Sequence, residues 1–173
     1  MPSTSDLTPS REDLLIAWLS AAAIMVHIFE SALPSLLPGL KPGLSNIITI
    51  TVLCLYGFRI AAWVSVLRVL VGSMLIGTFL SPTFFLSATG ALTSLLILWL
   101  ASLAGTRFSA IGLSVLASMA HMSGQFVCAY FLFIPHAGIW RLFPVLMTIA
   151  VILGIINGII SQKLVNRLTQ TGS

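Results

Sequence analysis

Few side chains outside the N-terminal tail could do chemistry, and the costliest of them is Arg68, which lies in the middle of an apolar run. A charge at bilayer depth must face the interior of a helical bundle and find a partner or water. On a later apolar run, His121 and Gln125 continue a stripe that begins at Ser114 and Ser118, with the helical spacing of three and four residues. These residue types predict a polar binding pocket inside the molecule.

Measured along the expected helices, the polar groups converge on the outer half of the bundle. Basic groups would attract an anionic ligand there, while amides would form hydrogen bonds to it. We therefore expect a substrate-binding site that contains the following residues: Glu30, Lys41, Asn46, Arg68, His121 and Gln125.

A structural role explains the same residues. Glu30 and Arg68 would then be a buried ion pair, and His121 and Gln125 would form hydrogen bonds between helices, all of which would serve assembly. The sequence leaves both interpretations open.

Catalytic chemistry has little support in this sequence. Three of the four acidic residues, Asp6, Glu12 and Asp13, lie near the N-terminus, so a pair of carboxylates for acid–base catalysis is missing, as is an acidic cluster for Mg²⁺ and diphosphate. The three histidines lack the spacing of metal ligands, and the sequence has no phosphate-binding glycine loop. We therefore expect no enzymatic activity and no bound metal or cofactor.

The composition predicts an integral membrane protein. Of the 173 residues, 58% are hydrophobic and 7% are charged, and the mean hydropathy is +1.09. A soluble domain could not cover its surface with so few charges. At about 20 residues per membrane span, this length allows about six spans. The fold class that follows is an all-α bundle of six transmembrane helices in the lipid bilayer, with no role in binding nucleic acid.

The apolar runs place six spans in one domain, residues 13–168, between tails at 1–12 and 169–173 that we expect to be disordered. The expected spans are 14–33, 44–58, 59–79, 83–104, 109–133 and 139–168. Three prolines within residues 34–42 rule out a continuous helix, so this segment should be a structured loop at one membrane face.

The distribution of Lys and Arg predicts the orientation. With the N-terminus in the cytoplasm, five basic residues are cytoplasmic and two, Lys41 and Arg141, lie outside. Both termini should therefore be cytoplasmic, and the protein should be a multi-pass protein of the inner (cytoplasmic) membrane.

Small residues mark two helix-packing faces. Ala17 and Ala21 lie four residues apart in the first span, which would allow close approach of a helix from a partner or from the same chain. Gly154 and Gly158 form a Gly-x-x-x-Gly pair that we expect to pack within the bundle. The two cysteines should be buried free thiols.

The blocks KPGLSN, LRVLVGS and AHMSGQ, with the segments around them, resemble the Gx transporter family, also labelled heptaprenyl diphosphate synthase component I. That family is similar to the substrate-binding S components of energy-coupling factor transporters. The resemblance implies six helices, capture of a small molecule from outside, and partnership with a transmembrane T component and ATPase subunits. It also implies that Ala17 and Ala21 dock on the T component and that the loop at 34–42 acts as a lid.

These observations favour a non-enzymatic, S-component-like binding subunit for a small, anionic, cofactor-type or isoprenoid-linked molecule. The alternative is a non-catalytic membrane accessory subunit of a prenyl diphosphate or quinone-precursor synthase, which would bind a soluble synthase. A self-sufficient secondary transporter is disfavoured because the sequence has no internal repeat and only one acidic residue deep in the membrane.

Overall fold

The computed structural model describes residues 10–32, 43–44, 46–104 and 108–171, and within these ranges all regular structure is helical. The prediction of an all-α chain with six helices is confirmed. The α-helices are α1 (Arg11–Ala32), α2 (Asn46–Tyr56), α3 (Phe58–Ile76), α4 (Pro82–Leu103), α5 (Ala110–Leu132) and α6 (Phe143–Thr171), and a 3-10 helix (Ala137–Leu142) precedes α6.

Local sequence signals explain where the helices begin. Ser10 and Asp13 cap α1 reciprocally: the Asp13 amide donates to Ser10 Oγ at 3.1 Å, and the Ser10 amide donates to Asp13 Oδ2 at 2.9 Å. Ser81 caps α4, with Pro82 at the first helical position, where a missing N–H costs nothing. Ser109 accepts a hydrogen bond from the backbone of Gly112 at the start of α5.

Among the residues that the structure describes, five helices are long and apolar enough to cross a membrane, whereas α2 has only 11 residues. At 1.5 Å per residue α2 spans about 16 Å, roughly half of the hydrocarbon thickness. The second predicted span, 44–58, is therefore too long at both ends. Gly57 alone separates α2 from α3, and its positive φ of 86° lets the chain reverse there.

The predicted boundaries of the sixth span also need correction. Residues 139–142 form part of the 3-10 helix, and α6 begins at Phe143, just before Pro144. Proline lacks a backbone N–H and fits only the first turn of an α-helix, so the α-helical hydrogen bonds start there. At the other end α6 continues to Thr171, so residues 169–171 of the expected tail are helical, as are residues 11 and 12 at the N-terminus.

The helices pack with α5 between α4 and α6, and with α1 against α3. Helices α1 and α3 run parallel, because Glu12 approaches Arg59 at one end and His27 meets Gly72 at the other. The prediction that Gly154 and Gly158 pack within the bundle is confirmed: a Cβ at Gly158 would lie 2.6 Å from the Cα of Ile111 on α5. Helices α5 and α6 therefore touch backbone to backbone.

Helix α2 starts inside the bundle. Gly43, one turn before it, is buried, and a Cβ at Gly43 would lie 3.7 Å from His121, in the middle of α5. Farther along α2, Ile50 packs with Leu98 of α4 and Ala117 of α5. Helix α2 is thus a half-length helix whose N-terminal end faces the protein interior.

Both cysteines are free, and only Cys128 is buried. Cys54 is exposed, contrary to the prediction, because α2 turns this residue to the outside while the opposite face packs on the bundle. Large apolar side chains such as Trp18, Met25 and Phe131 are exposed in the same way. An apolar exterior of this kind is what a lipid environment requires.

Candidate functional site

Arg68 is 2% exposed at the centre of the bundle. Its Nη2 lies 3.4 Å from Ser65 Oγ, one turn earlier on α3, which is at the weak end of hydrogen bonding. Its Nε and Nη1 have no hydrogen-bond partner in the part of the chain that the structure describes. Arg68 therefore has two buried donor nitrogens available for an acceptor.

A small cavity lies beside Arg68, lined also by His27, Glu30, Gly43 and His121. Its volume is about 10 Å³, enough for about one water molecule. Glu30 and Arg68 face each other across this space, and their opposite charges attract. Residues of four helices and of the segment before α2 therefore surround the charges of Glu30 and Arg68.

Glu30 is bound to the start of α2. Its Oε1 accepts hydrogen bonds from the backbone N–H of Gly43 and, at 2.9 Å, from that of Leu44. Gly43 and Leu44 lie three and two residues before Asn46, so the carboxylate is held next to the N-terminal end of α2, where the helix dipole stabilises a negative charge. Glu30 is therefore the anion that completes the N-terminal end of α2.

His121 and Gln125 lie on the side of α5 that packs against Gly90 of α4. Nε2 of Gln125 lies 2.8 Å from Nε2 of His121, so the amide and the ring share one hydrogen bond. Gly90 on α4 makes room for both, because a Cβ there would lie 2.8 Å from His121 and 2.9 Å from Gln125. The other polar atom of the Gln125 amide, Oε1, has no partner among the described residues.

Five of the six residues predicted for the site come together in the structure. Glu30, Arg68 and His121 line the same cavity, Gln125 bonds to His121, and Asn46 lies beside Gly43 with its Nδ2 3.3 Å from a Cβ built there. The sixth, Lys41, lies outside the described residues, as does the loop at 34–42.

Two interior residues of α6 were not predicted from the sequence. Asn157 is fully buried and donates from Nδ2 to the Gly43 carbonyl at 3.3 Å, and Ser161 donates to the Ile47 carbonyl at 3.1 Å. The signal was available, because Asn157 interrupts a long apolar run and an amide at that depth needs a partner just as Arg68 does. The contact with Gly43, far away in sequence, could not be predicted.

Ala17 and Ala21 are both exposed on α1, next to Trp18, which is 76% exposed. The side of α1 that packs on the bundle carries Ala23 and His27 instead. The Ala17 and Ala21 pair is therefore not buried against another helix in the part of the chain that the structure describes.

The interior is suited to binding by hydrogen bonds and charge. Among the described residues, no three His, Cys, Asp or Glu side chains come close enough to hold a metal ion. Glu30 is the acidic side chain that lines the small cavity, and its carboxylate is engaged by α2.

A multi-pass helical membrane protein with a polar interior is the class that these features define. Within that class, the chain matches the family model for heptaprenyl diphosphate synthase component I over residues 19–164, and it belongs to that family. No curated protein and no solved structure matches the chain.

Proposed function

We propose that this protein is a non-catalytic membrane subunit that acts with other proteins and binds a small anionic molecule in its polar interior. The observation that carries the proposal is Arg68, which is 2% exposed and has two donor nitrogens without a partner among the described residues. Buried donors left without acceptors are costly, and a carboxylate or phosphate would supply the acceptors.

Glu30 is consistent with such a ligand. It balances the charge of Arg68, yet its Oε1 is held by the Gly43 and Leu44 amides. An anion beside Arg68 would therefore add hydrogen bonds without displacing those at the start of α2. Because the cavity beside Arg68 is so small, the helices around it would have to move apart for any ligand larger than water.

The description of the family favours an accessory role. It names component I of a heptaprenyl diphosphate synthase, which implies at least one further component. In this role the chain would hold a soluble prenyl diphosphate or quinone-precursor synthase at the membrane through its cytoplasmic loops. Arg59, whose side chain is 81% exposed, lies at one such loop and is suited to an acidic partner surface.

Transport is the second candidate role. Here the chain would be an S-component-like binding subunit that captures its ligand from outside the cytoplasmic membrane and docks on a transmembrane T component with its ATPases. The observation that favours this role is the exposure of Ala17 and Ala21 on α1, since small residues four apart allow close approach of a partner helix.

Native mass spectrometry of the protein, purified in mild detergent from its own host, tests the proposal. We expect a small anionic molecule to co-purify, to be lost with Arg68→Leu and to be retained with the exposed control Arg59→Leu. A bound prenyl synthase would support the accessory role, and a T component with ATPases would support transport.

Binding that survives in folded Arg68→Leu would contradict the interior site. Because removal of a buried charge can prevent folding, Arg68→Lys is measured in parallel. Lysine keeps the charge but loses the planar set of donors, so we expect weakened rather than abolished binding.

A further inference from the structure

Five buried polar side chains meet where α2, α5 and α6 pack together, and we call them the neutral cluster: Asn46, Thr49, Ser114, Ser118 and Asn157. Each is at most 5% exposed. Each also has one polar atom without a hydrogen-bond partner in the described ranges, namely Asn46 Nδ2, Asn157 Oδ1 and the three hydroxyl oxygens. None of these side chains carries a charge.

The contacts between α5 and α6 place these residues at one level. A Cβ at Gly154 would lie 3.2 Å from Ser118 Oγ, and a Cβ at Gly158 would lie 3.1 Å from Ser114 Cβ. Asn157 lies between the two glycines on α6, so its side chain is level with the two serines on α5.

Helix α2 reaches the same level. Asn157 donates to the Gly43 carbonyl, just before α2, and Ser161 donates to the Ile47 carbonyl in the first turn of α2, so α6 contacts the start of this helix. Asn46 and Thr49 both lie in the first turn of α2. The neutral cluster is therefore enclosed by three helices in mutual contact.

A concentration of unpaired polar atoms in one place indicates an occupant that supplies the missing hydrogen bonds. An apolar chain could not do so, because every buried hydroxyl and amide would stay unpaired at a substantial cost. The matching occupant is uncharged at this point and carries hydroxyl or amide groups.

The neutral cluster is continuous with the Arg68 region. Ser114, Ser118, His121 and Gln125 form one stripe on α5, and Gly43 borders both the cavity beside Arg68 and the side chain of Asn46. Along the axis of α5, Ser118 and Gln125 are about 10 Å apart, which sets the scale of a ligand that reaches both regions.

We infer that the neutral cluster is the second half of the binding site, and that the ligand is a small anion whose body carries hydroxyl or amide groups, not a long isoprenoid chain. This inference rests on the proposed function, because Arg68 supplies the charged half. It adds Thr49, Ser114, Ser118 and Asn157 to the residues that contact the ligand.

The first test measures the melting temperature of the purified, ligand-free protein. Removal of an unpaired hydroxyl should cost nothing, so Thr49→Val and Ser114→Ala should leave the melting temperature unchanged or raise it. The matched controls are Thr93→Val and Ser161→Ala, whose hydroxyls are bonded to the Ala120 and Ile47 carbonyls. Each control should lower the melting temperature by about 2–4 °C.

An equal loss of melting temperature in Thr49→Val and Thr93→Val, or in Ser114→Ala and Ser161→Ala, would overturn the inference. The hydroxyls of the neutral cluster would then be satisfied within the folded protein, and they would serve assembly.

The second test compares two six-carbon carboxylates, gluconate, which has a hydroxyl group on each of its other carbons, and hexanoate, which has none. We expect gluconate to raise the melting temperature of the wild-type protein more than hexanoate does. This difference should disappear in the triple variant Thr49→Val, Ser114→Ala, Asn157→Leu.

The remaining outcomes separate this inference from the proposed function. Equal shifts by the two probes, lost in Arg68→Leu, would keep the anion site and overturn the inference about the neutral cluster. A shift by farnesyl diphosphate that is lost in the triple variant would also overturn it, since a long apolar chain would then occupy the cluster. If gluconate does not shift the melting temperature, the result would count against both the proposed function and this inference.

Discussion

Glu30 and Arg68 are opposite charges at the same cavity, but they are held differently. Oε1 of the Glu30 carboxylate accepts hydrogen bonds from two backbone N–H groups just before α2, whereas the Arg68 guanidinium has two donor nitrogens without a partner in the described chain. In a symmetric buried ion pair, neither charged group would lack hydrogen-bond partners. The asymmetry favours a positioning role for Glu30 and a ligand-contacting role for Arg68.

Glu30→Gln tests this positioning role. The neutral amide loses charge-assisted hydrogen bonds to the Gly43 and Leu44 amides, and it leaves Arg68 with less compensation for its charge. We expect the free energy of unfolding to fall by about 2–3 kcal/mol, measured by equilibrium unfolding in mixed micelles.

Glu12→Gln is the matched control for that measurement. Its ion pair with Arg59, at 3.8 Å, is solvent-exposed, so the change should be within about 0.5 kcal/mol. If the two substitutions lower the free energy of unfolding equally, the hydrogen bonds from Glu30 to the start of α2 stabilise the protein no more than the exposed ion pair does.

Single residues could be predicted where one helix decides their position. The stripe from Ser114 to Gln125 follows from helical periodicity, and the burial of Arg68 follows from the cost of a charge in lipid. The contacts of Gly43 with Glu30 and Asn157 join three helices across a loop, and no local pattern encodes them. The sequence therefore predicted the interior position of Arg68 and of the α5 stripe, but not which residues they bond to.

Among the helices, α2 is the one whose length matters for function. It is a half-length helix whose N-terminal end lies beside His121 inside the bundle, and Glu30 neutralises that end. Half-helices that end in a membrane interior present their positive end to polar or charged groups. The sequence predicted the boundary between α2 and α3 near Arg59, but it could not predict that α2 begins inside the bundle, because that position depends on contacts with α5 and α6 that no local pattern encodes.

The pair α5 and α6 depends on glycine at the closest approach. A Cβ at Gly158 would lie 2.6 Å from the Cα of Ile111, and a backbone atom cannot move aside as a flexible side chain can. We expect Gly158→Ala to separate the helices and to lower the free energy of unfolding by about 1–3 kcal/mol, in the same unfolding experiment.

Gly112→Ala on α5 is the control, since the nearest atom to a Cβ there, Ser109 Oγ, is 3.6 Å away. Alanine also favours helix over glycine by about 1 kcal/mol, so this variant should be as stable as the wild type or more stable. A tolerated Gly158→Ala would mean that α5 and α6 can pack farther apart than the structure places them.

For the whole molecule, the polar interior and the apolar exterior require a membrane, and the basic residues then decide which way the chain is inserted. Arg11 and Arg59 lie at the same end of the parallel helices α1 and α3, and Arg167 lies near the end of α6. From the rule that positively charged loops stay in the cytoplasm, we predict that both termini are cytoplasmic and that the turn before α6 is outside.

Cysteine labelling in intact cells tests that orientation. In a background with Cys54→Ala and Cys128→Ala, we expect a membrane-impermeant maleimide to modify Ala137→Cys, an exposed position before α6. It should modify Ser3→Cys and the exposed position Asn166→Cys only after the cells are permeabilised. Labelling of Asn166→Cys but not Ala137→Cys in intact cells would invert the topology, so that Arg68 and the start of α2 would open towards the cytoplasm. Capture of a ligand from outside would then be ruled out, while an accessory role beside a cytoplasmic synthase would require that synthase to bind the face that carries the 3-10 helix.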